Sequence, residues 1–206
     1  MRALIALTAL ALATAMTAPR AEDHSHHHHA PAAAAPGTVR ITLPDAALTD
    51  QDGRTARFRS ERVADRLVVI NFIYTTCTTV CPVQSALLAD LQRRLGDRAG
   101  SEVALLSVTV DPLRDTPLRL KQFSAQYQAG PGWRFLGGDK QSVDEVLTAF
   151  GVYTPNFADH PAVVLVGDAR TGEWTRFFGF PTSDQIMARV GHLQAARAGA
   201  PVATTR

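Results

Sequence analysis

Apolar residues along the chain recur with two periods, and the switches between them set the predicted elements. LVVINFIY (residues 67–74) and VALLSVTV (103–110) are apolar runs of strand length, broken only by Asn71 in the first and by Ser107 and Thr109 in the second. Runs of this kind suit strands covered on both faces. Between them Val83, Leu87, Leu88, Leu91 and Leu95 recur at helical spacing. This predicts a helix from near Cys77 or Cys81 to Leu95, closed by Gly96. Upstream, residues 39–43 read as a short strand, and LTDQDGRTARF (48–58) reads as a hairpin turning at Asp52-Gly53.

Downstream, residues 117–127 predict a helix with Thr116 as N-cap and Pro117 at its first position. A short strand follows over 133–136. The next helix, 142–150, opens with the capping-box pattern Ser142-x-x-Glu145. Residues 163–166 and 173–178 flank GDARTG and should pair as a hairpin. A closing helix runs from 183 to 197, capped by Ser183 or Asp184. This order describes an α/β fold with a central mixed sheet flanked by helices on both faces.

The beginning of the chain reads differently. Arg2 precedes an apolar segment over residues 3–16, followed by small and then polar residues. A membrane-spanning helix needs about 20 apolar residues. Residues 1–21 therefore read as a signal peptide, with Ala13-Thr14-Ala15 as one cleavage site and an uncleaved anchor as the alternative. No cysteine lies near it, which excludes a lipoprotein anchor. The expectation is an exported, periplasmic protein with no stable membrane span. Residues 22–37 read as a disordered linker rich in His, Ala and Pro. Its His24, His26, His27, His28 and His29 read as a weak accessory site for copper, zinc or nickel, with a solvated tail or a tag as the alternative. The folded domain is expected over 38–198, with a flexible tail at 199–206. The formal charge of +2 is not focused in any Lys/Arg cluster, which argues against a nucleic-acid partner.

The chemistry concentrates in NFIYTTCTTVCP (71–82), which holds both cysteines of the chain. Cys77 leaves a buried strand and Cys81 enters the next helix, the place where α/β sheets put chemistry. Backbone amides and the helix dipole there favour thiolate. On a helical face at i and i+4, Cβ atoms stand roughly 5–6 Å apart, which allows either a disulfide or shared metal ligation. A static disulfide closing so short a loop would remove little chain entropy. Soft thiolates select Cu(I), zinc or iron–sulfur clusters, and two cysteines alone are too few for a cluster or for zinc. Copper accepts two sulfurs plus one imidazole. Beyond residue 29 the histidines are His160, in NFADHPAVVLV before an apolar strand, and His192, in a polar helix. His160 is the better third ligand.

INFIYTTCTTVCP, VTVDPLRDTP (108–117) and ADHPAVVLVGD (158–168), in this order, closely resemble the Sco/SenC family. The resemblance implies a thioredoxin-like fold with an N-terminal β-hairpin extension. It also implies a copper-binding metallochaperone that serves the dinuclear copper site of cytochrome c oxidase. Cys77, Cys81 and His160 match the family's copper ligands, for Cu(I) and also Cu(II), and Asp111 matches a supporting acidic residue that does not ligate. Thr79 stands where relatives commonly carry an acid, and Pro161 follows the histidine where small polar or apolar residues are more usual. The implied partner is the oxidase copper-site subunit or another periplasmic copper protein. The alternative is a thiol-disulfide reductase that keeps client cysteines reduced, with Cys77 and Cys81 as a redox-active pair. A turnover enzyme is not the main expectation. A peroxidase would need a cation beside the reactive thiol, and TTCTTVCP supplies none.

Overall fold

The computed structural model describes residues 36–199. The signal segment, nearly all of the linker with its five histidines, and residues 200–206 lie outside the described residues. In chain order the first elements are strands β1 (Gly37–Arg40), β2 (Ala47–Asp50), β3 (Thr55–Arg57) and β4 (Leu67–Ile73). Helix α1 (Val80–Leu95), strand β5 (Val103–Thr109), helix α2 (Pro117–Gln126), strand β6 (Trp133–Gly137) and helix α3 (Lys140–Ala149) come next. Strands β7 (Val163–Asp168) and β8 (Glu173–Phe178) and helix α4 (Ser183–Gly199) complete the domain.

The strands form one eight-stranded sheet in the order β1-β8-β7-β4-β5-β6-β2-β3. β4, β5 and β6 run parallel, and every other neighbouring pair is antiparallel. Every residue of β4 and β5 is buried. Val68, Ile70 and Phe72 with Ala104, Leu106 and Val108 face one core, while Leu67, Val69 and Ile73 with Val103 and Leu105 face the other. Two covered faces at period two explain why these strands read as nearly continuous apolar runs.

On one face pack α1, α2 and α4, through Leu88, Leu91, Leu120, Phe123, Ile186 and Val190. The other face is covered by α3 and a single π-helical turn, Phe58–Val63. There the Phe150 ring meets Trp174 edge-on at 5.0 Å between centroids. Such pairs add about 0.5–1.5 kcal/mol beyond their area burial.

The expected hairpin at Asp52-Gly53 is present, with Gly53 at φ 80°, a conformation that a Cβ disfavours. It is less an appendage than an edge of the sheet, because β2 also pairs with β6. Other expectations need correction. The first strand is Gly37–Arg40, starting inside the stretch read as linker. Its ladder with β8 ends at Arg40, and Ile41 instead donates to the Gly172 carbonyl at 3.0 Å. Helix α3 starts at Lys140, because Asp139 rather than Ser142 is the N-cap and accepts the Ser142 amide at 2.9 Å. Helix α4 is capped by Thr182, whose hydroxyl accepts the Gln185 amide at 3.3 Å while the Gln185 side chain accepts the Thr182 amide at 2.8 Å. That reciprocal pair is a capping box one residue earlier than expected. The helix also continues to Gly199, past the expected domain end. Val83 lies on the solvent side of α1 and is 50% exposed, despite its helical spacing with the buried leucines. Among the described residues no helix is long and apolar enough to cross a membrane.

Candidate functional site

The cysteine pair is built where β4 hands the chain to α1. The Cys77 amide donates to the Tyr74 carbonyl at 3.1 Å, which closes a turn over residues 74–77. α1 begins only at Val80, so Cys77 precedes the helix and Cys81 sits in its first turn. The shared helical face expected at i and i+4 is therefore replaced by a turn-to-helix contact. The thiols are neighbours nonetheless. The Cys81 amide donates to the Cys77 sulfur at 3.4 Å. Thr79, the N-cap, makes no side-chain capping bond, and the first turn carries no acidic residue. The Cys77 sulfur fills the acceptor's place that a capping oxygen usually takes. Both cysteines are free thiols, Cys77 only 7% exposed and Cys81 fully buried at 0%.

The two sulfurs differ in acidity. Burial alone would push the Cys77 thiol up, but hydrogen bonds from the Cys81 side chain and amide, the Thr79 amide and the Tyr74 hydroxyl bring it down to about 7. Burial and the hydrogen bond to Cys77 push Cys81 up to about 12. One thiol ionises near neutrality while its neighbour keeps a proton and donates it. The Thr79 hydroxyl stands 4.0 Å from the Cys77 sulfur, a neutral group beside a thiolate.

His160 follows the short 3-10 turn Phe157–Asp159. Its ring meets Tyr74 edge-on, 6.0 Å between centroids and 84° between planes, and Tyr74 also packs on Phe157 at 5.1 Å. Tyr74 thus touches both the cysteine turn and the histidine. His160 Nδ1 is buried and has no hydrogen-bond partner among the described residues. Burial lowers the imidazole's pKa and outweighs an opposing contact with the Pro161 backbone, which favours the neutral form that ligates metals. Among the described residues no three His, Cys, Asp or Glu side chains come together as a metal cage. The structure joins Cys77 to Cys81 and leaves His160 one tyrosine away. Two soft sulfurs and an orphaned imidazole nitrogen are a donor set that fits Cu(I). His192 is exposed, with Nδ1 2.9 Å from the Arg189 guanidinium.

Asp111 is buried, and its carboxylate pairs with Arg114 at 3.1 Å. The Arg114 guanidinium in turn lies 5.5 Å over the Phe157 ring. Sequence reasoning missed two residues of this neighbourhood. Tyr74 carries a weak signal, an aromatic residue directly before the Thr-Thr-Cys turn. Asp115 lies inside VTVDPLRDTP, but nothing local marks its role, because its bonds to Thr75 span 40 positions of chain.

A mixed sheet between helical layers, with a dithiol at a strand-to-helix junction, defines a thioredoxin-like protein. The SCO1/SenC family model matches residues 41–192, and the chain belongs to that family. It is 36% identical over 94 residues to the SCO1 protein homolog of Bacillus subtilis, a match covering 45% of this chain and 47% of that protein, so about half of the relative's length. The SCO2-like protein of Rickettsia conorii is 27% identical over 153 residues, covering 69% of this chain and 72% of the relative. Among solved structures, Bradyrhizobium japonicum ScoI with copper bound superposes with a TM-score of 0.60 at 27% identity, covering 73% of this chain and 99% of that one.

Proposed function

We propose that this chain is an exported, periplasmic copper carrier that supports assembly of the dinuclear copper site of cytochrome c oxidase, with copper as its cargo. The observation that carries the reading is the contact of two free, buried thiols, with Tyr74 linking their turn to an imidazole whose Nδ1 has no hydrogen-bond partner among the described residues. The copper-bound state of the ScoI structure supports it. Cys77 and Cys81 would hold Cu(I), with His160 as third ligand also serving Cu(II). Only the dithiol can bind, so loading requires the reduced pair. The test is titration of the reduced protein with Cu(I) against a competing chelator. One equivalent should bind tightly, Cys77→Ser or Cys81→Ser should abolish tight binding, and His160→Ala should weaken it and shift the Cu(II) spectrum. An unchanged His160→Ala variant would remove that residue from the site.

A second reading, a thiol-disulfide reductase, draws on the split acidity of the pair, about 7 for Cys77 and about 12 for Cys81. The Cys77 thiolate would attack a client disulfide, forming a mixed disulfide and releasing one client thiolate. Cys81, on losing its proton, would attack the Cys77 sulfur and release the second client thiol. The client gains two electrons, and the chain is left with the intrachain disulfide.

A further inference from the structure

Asp115 is 3% exposed and lies outside the cysteine segment. Its Oδ1 accepts the Thr75 hydroxyl at 2.6 Å and the Thr75 amide at 3.3 Å. Its Oδ2 accepts the same amide at 3.1 Å and the Thr109 hydroxyl at 2.6 Å. The Thr109 oxygen in turn accepts the Asp111 amide at 3.0 Å. The Asp115 amide returns to the Asp111 carbonyl at 3.0 Å, which closes a tight loop after β5. One side chain therefore fastens the last residue of β5 to Thr75, the second residue of the turn that carries Cys77. Burying such a group costs several kcal/mol unless its oxygens are fully served, as they are here.

We infer that Asp115 is the positioning residue of the cysteine pair, holding the 74–77 turn so that the Cys77 sulfur meets the Cys81 amide. The geometry it holds is that of the dithiol. Releasing the turn takes stability from the dithiol and shifts the pair toward the disulfide. A merely structural residue would change the stability of the fold and leave the redox balance of the pair alone.

The experiment equilibrates the protein with a glutathione buffer. One oxidised glutathione takes two electrons and two protons from the dithiol, giving two glutathione thiols and the intrachain disulfide. Asp115→Ala should favour the disulfide at least about tenfold, a midpoint about 30 mV more negative. Asp115→Asn keeps the shape but turns one acceptor into a donor, and should move the balance the same way by less. Thr75→Val and Thr109→Val keep Asp115 and delete one donor each, so they carry the test if Asp115→Ala does not fold. Both should favour the disulfide at least threefold. Dithiol–disulfide equilibrium constants within twofold of the parent in all folded variants, whatever their melting temperatures, would overturn the inference. A second readout rests on the copper reading: the Cu(II)–thiolate absorption band should shift in Asp115→Ala and Thr75→Val. If the parent protein binds no copper, that reading falls while the glutathione balance still decides the role of Asp115.

Discussion

The Cys81 amide points at the Cys77 sulfur across 3.4 Å, so the first turn of α1 is capped by a thiol from the preceding turn. This contact makes the two cysteines chemically unequal before any metal or client arrives. It also ties the ionisation of Cys77 to the integrity of the helix start.

Alkylation of the reduced, metal-free protein should follow that inequality. Cys77, lowered to about 7, should react with iodoacetamide at a rate that rises with pH and levels off above neutrality. Cys81, raised to about 12 and fully buried, should stay unmodified in the native state. Peptide mapping after timed alkylation checks this, and preferential labelling of Cys81 would contradict it. Stability follows by linkage. A thiol lowered from 9.0 to about 7 makes the folded state gain stability as pH rises from about 7 to 9. The raised Cys81 thiol acts oppositely, removing stability from about 9 towards 12. Chemical denaturation of the dithiol form across this range should peak near pH 9 as far as the pair contributes.

Copper delivery and thiol exchange separate at His160. Exchange needs the two sulfurs alone, whereas delivery, on the proposed copper-carrier reading, would need all three proposed ligands. The His160→Ala strain should lose oxidase copper loading at low copper, and added copper should partly restore it. Reduction of a model disulfide by the purified variant should be nearly unchanged. Normal oxidase assembly in His160→Ala, beside failure in Cys77→Ser and Cys81→Ser, would make thiol exchange the function.

The histidine-rich stretch should be dispensable for the tight site. Deleting residues 23–30 should remove only weaker copper or nickel equivalents, counted by metal analysis after dialysis. A collapse of copper transfer on deletion would make the stretch a relay.

The end of α4 is locked by the fork of Arg197 on Asp168, at 2.7 and 2.6 Å. Burial would raise the Asp168 carboxyl, but the guanidinium and the Arg170 and Thr171 amides outweigh it and hold it below the usual carboxylate range. Arg197→Ala leaves that buried group without its cation and should cost about 3 kcal/mol in urea denaturation at neutral pH. A lowered carboxylate stabilises above its unfolded pKa and loses this as pH falls through the folded one. The difference between parent and variant should therefore shrink on acidification below about pH 4.

Two apolar positions of α1, about 140° apart around the helix, should respond differently. Leu88 is fully buried, and Leu88→Ala should cost about 2–5 kcal/mol. Val83, half exposed, should tolerate Ser within about 0.5 kcal/mol. Thermal melts of the two variants make the comparison.

β4 and β5 were legible from the chain alone, because a strand covered on both faces needs a nearly continuous apolar run, which both supply. The cysteine pair was equally legible: both thiols of the chain fall in one short segment, and their residue type already limits the chemistry. Periodicity alone did not say which side of α1 faces the core: Val83 and Leu88 stand about 140° apart around the helix, and the packing of α4 and the sheet decided which of them is buried. Helix starts at Lys140 and Ser183 depended on which side chain reached an orphan amide, a choice made by loop geometry. The site was divided in the same way. Residue type named Cys77, Cys81 and His160, but only the folded chain placed Tyr74 between sulfur and imidazole. Only the folded chain also brought Asp115 across 40 positions to hold Thr75. Hydrogen bonds that close long loops leave no local trace, because their partners are chosen by the packing of β4 against β5 and not by their neighbours along the chain.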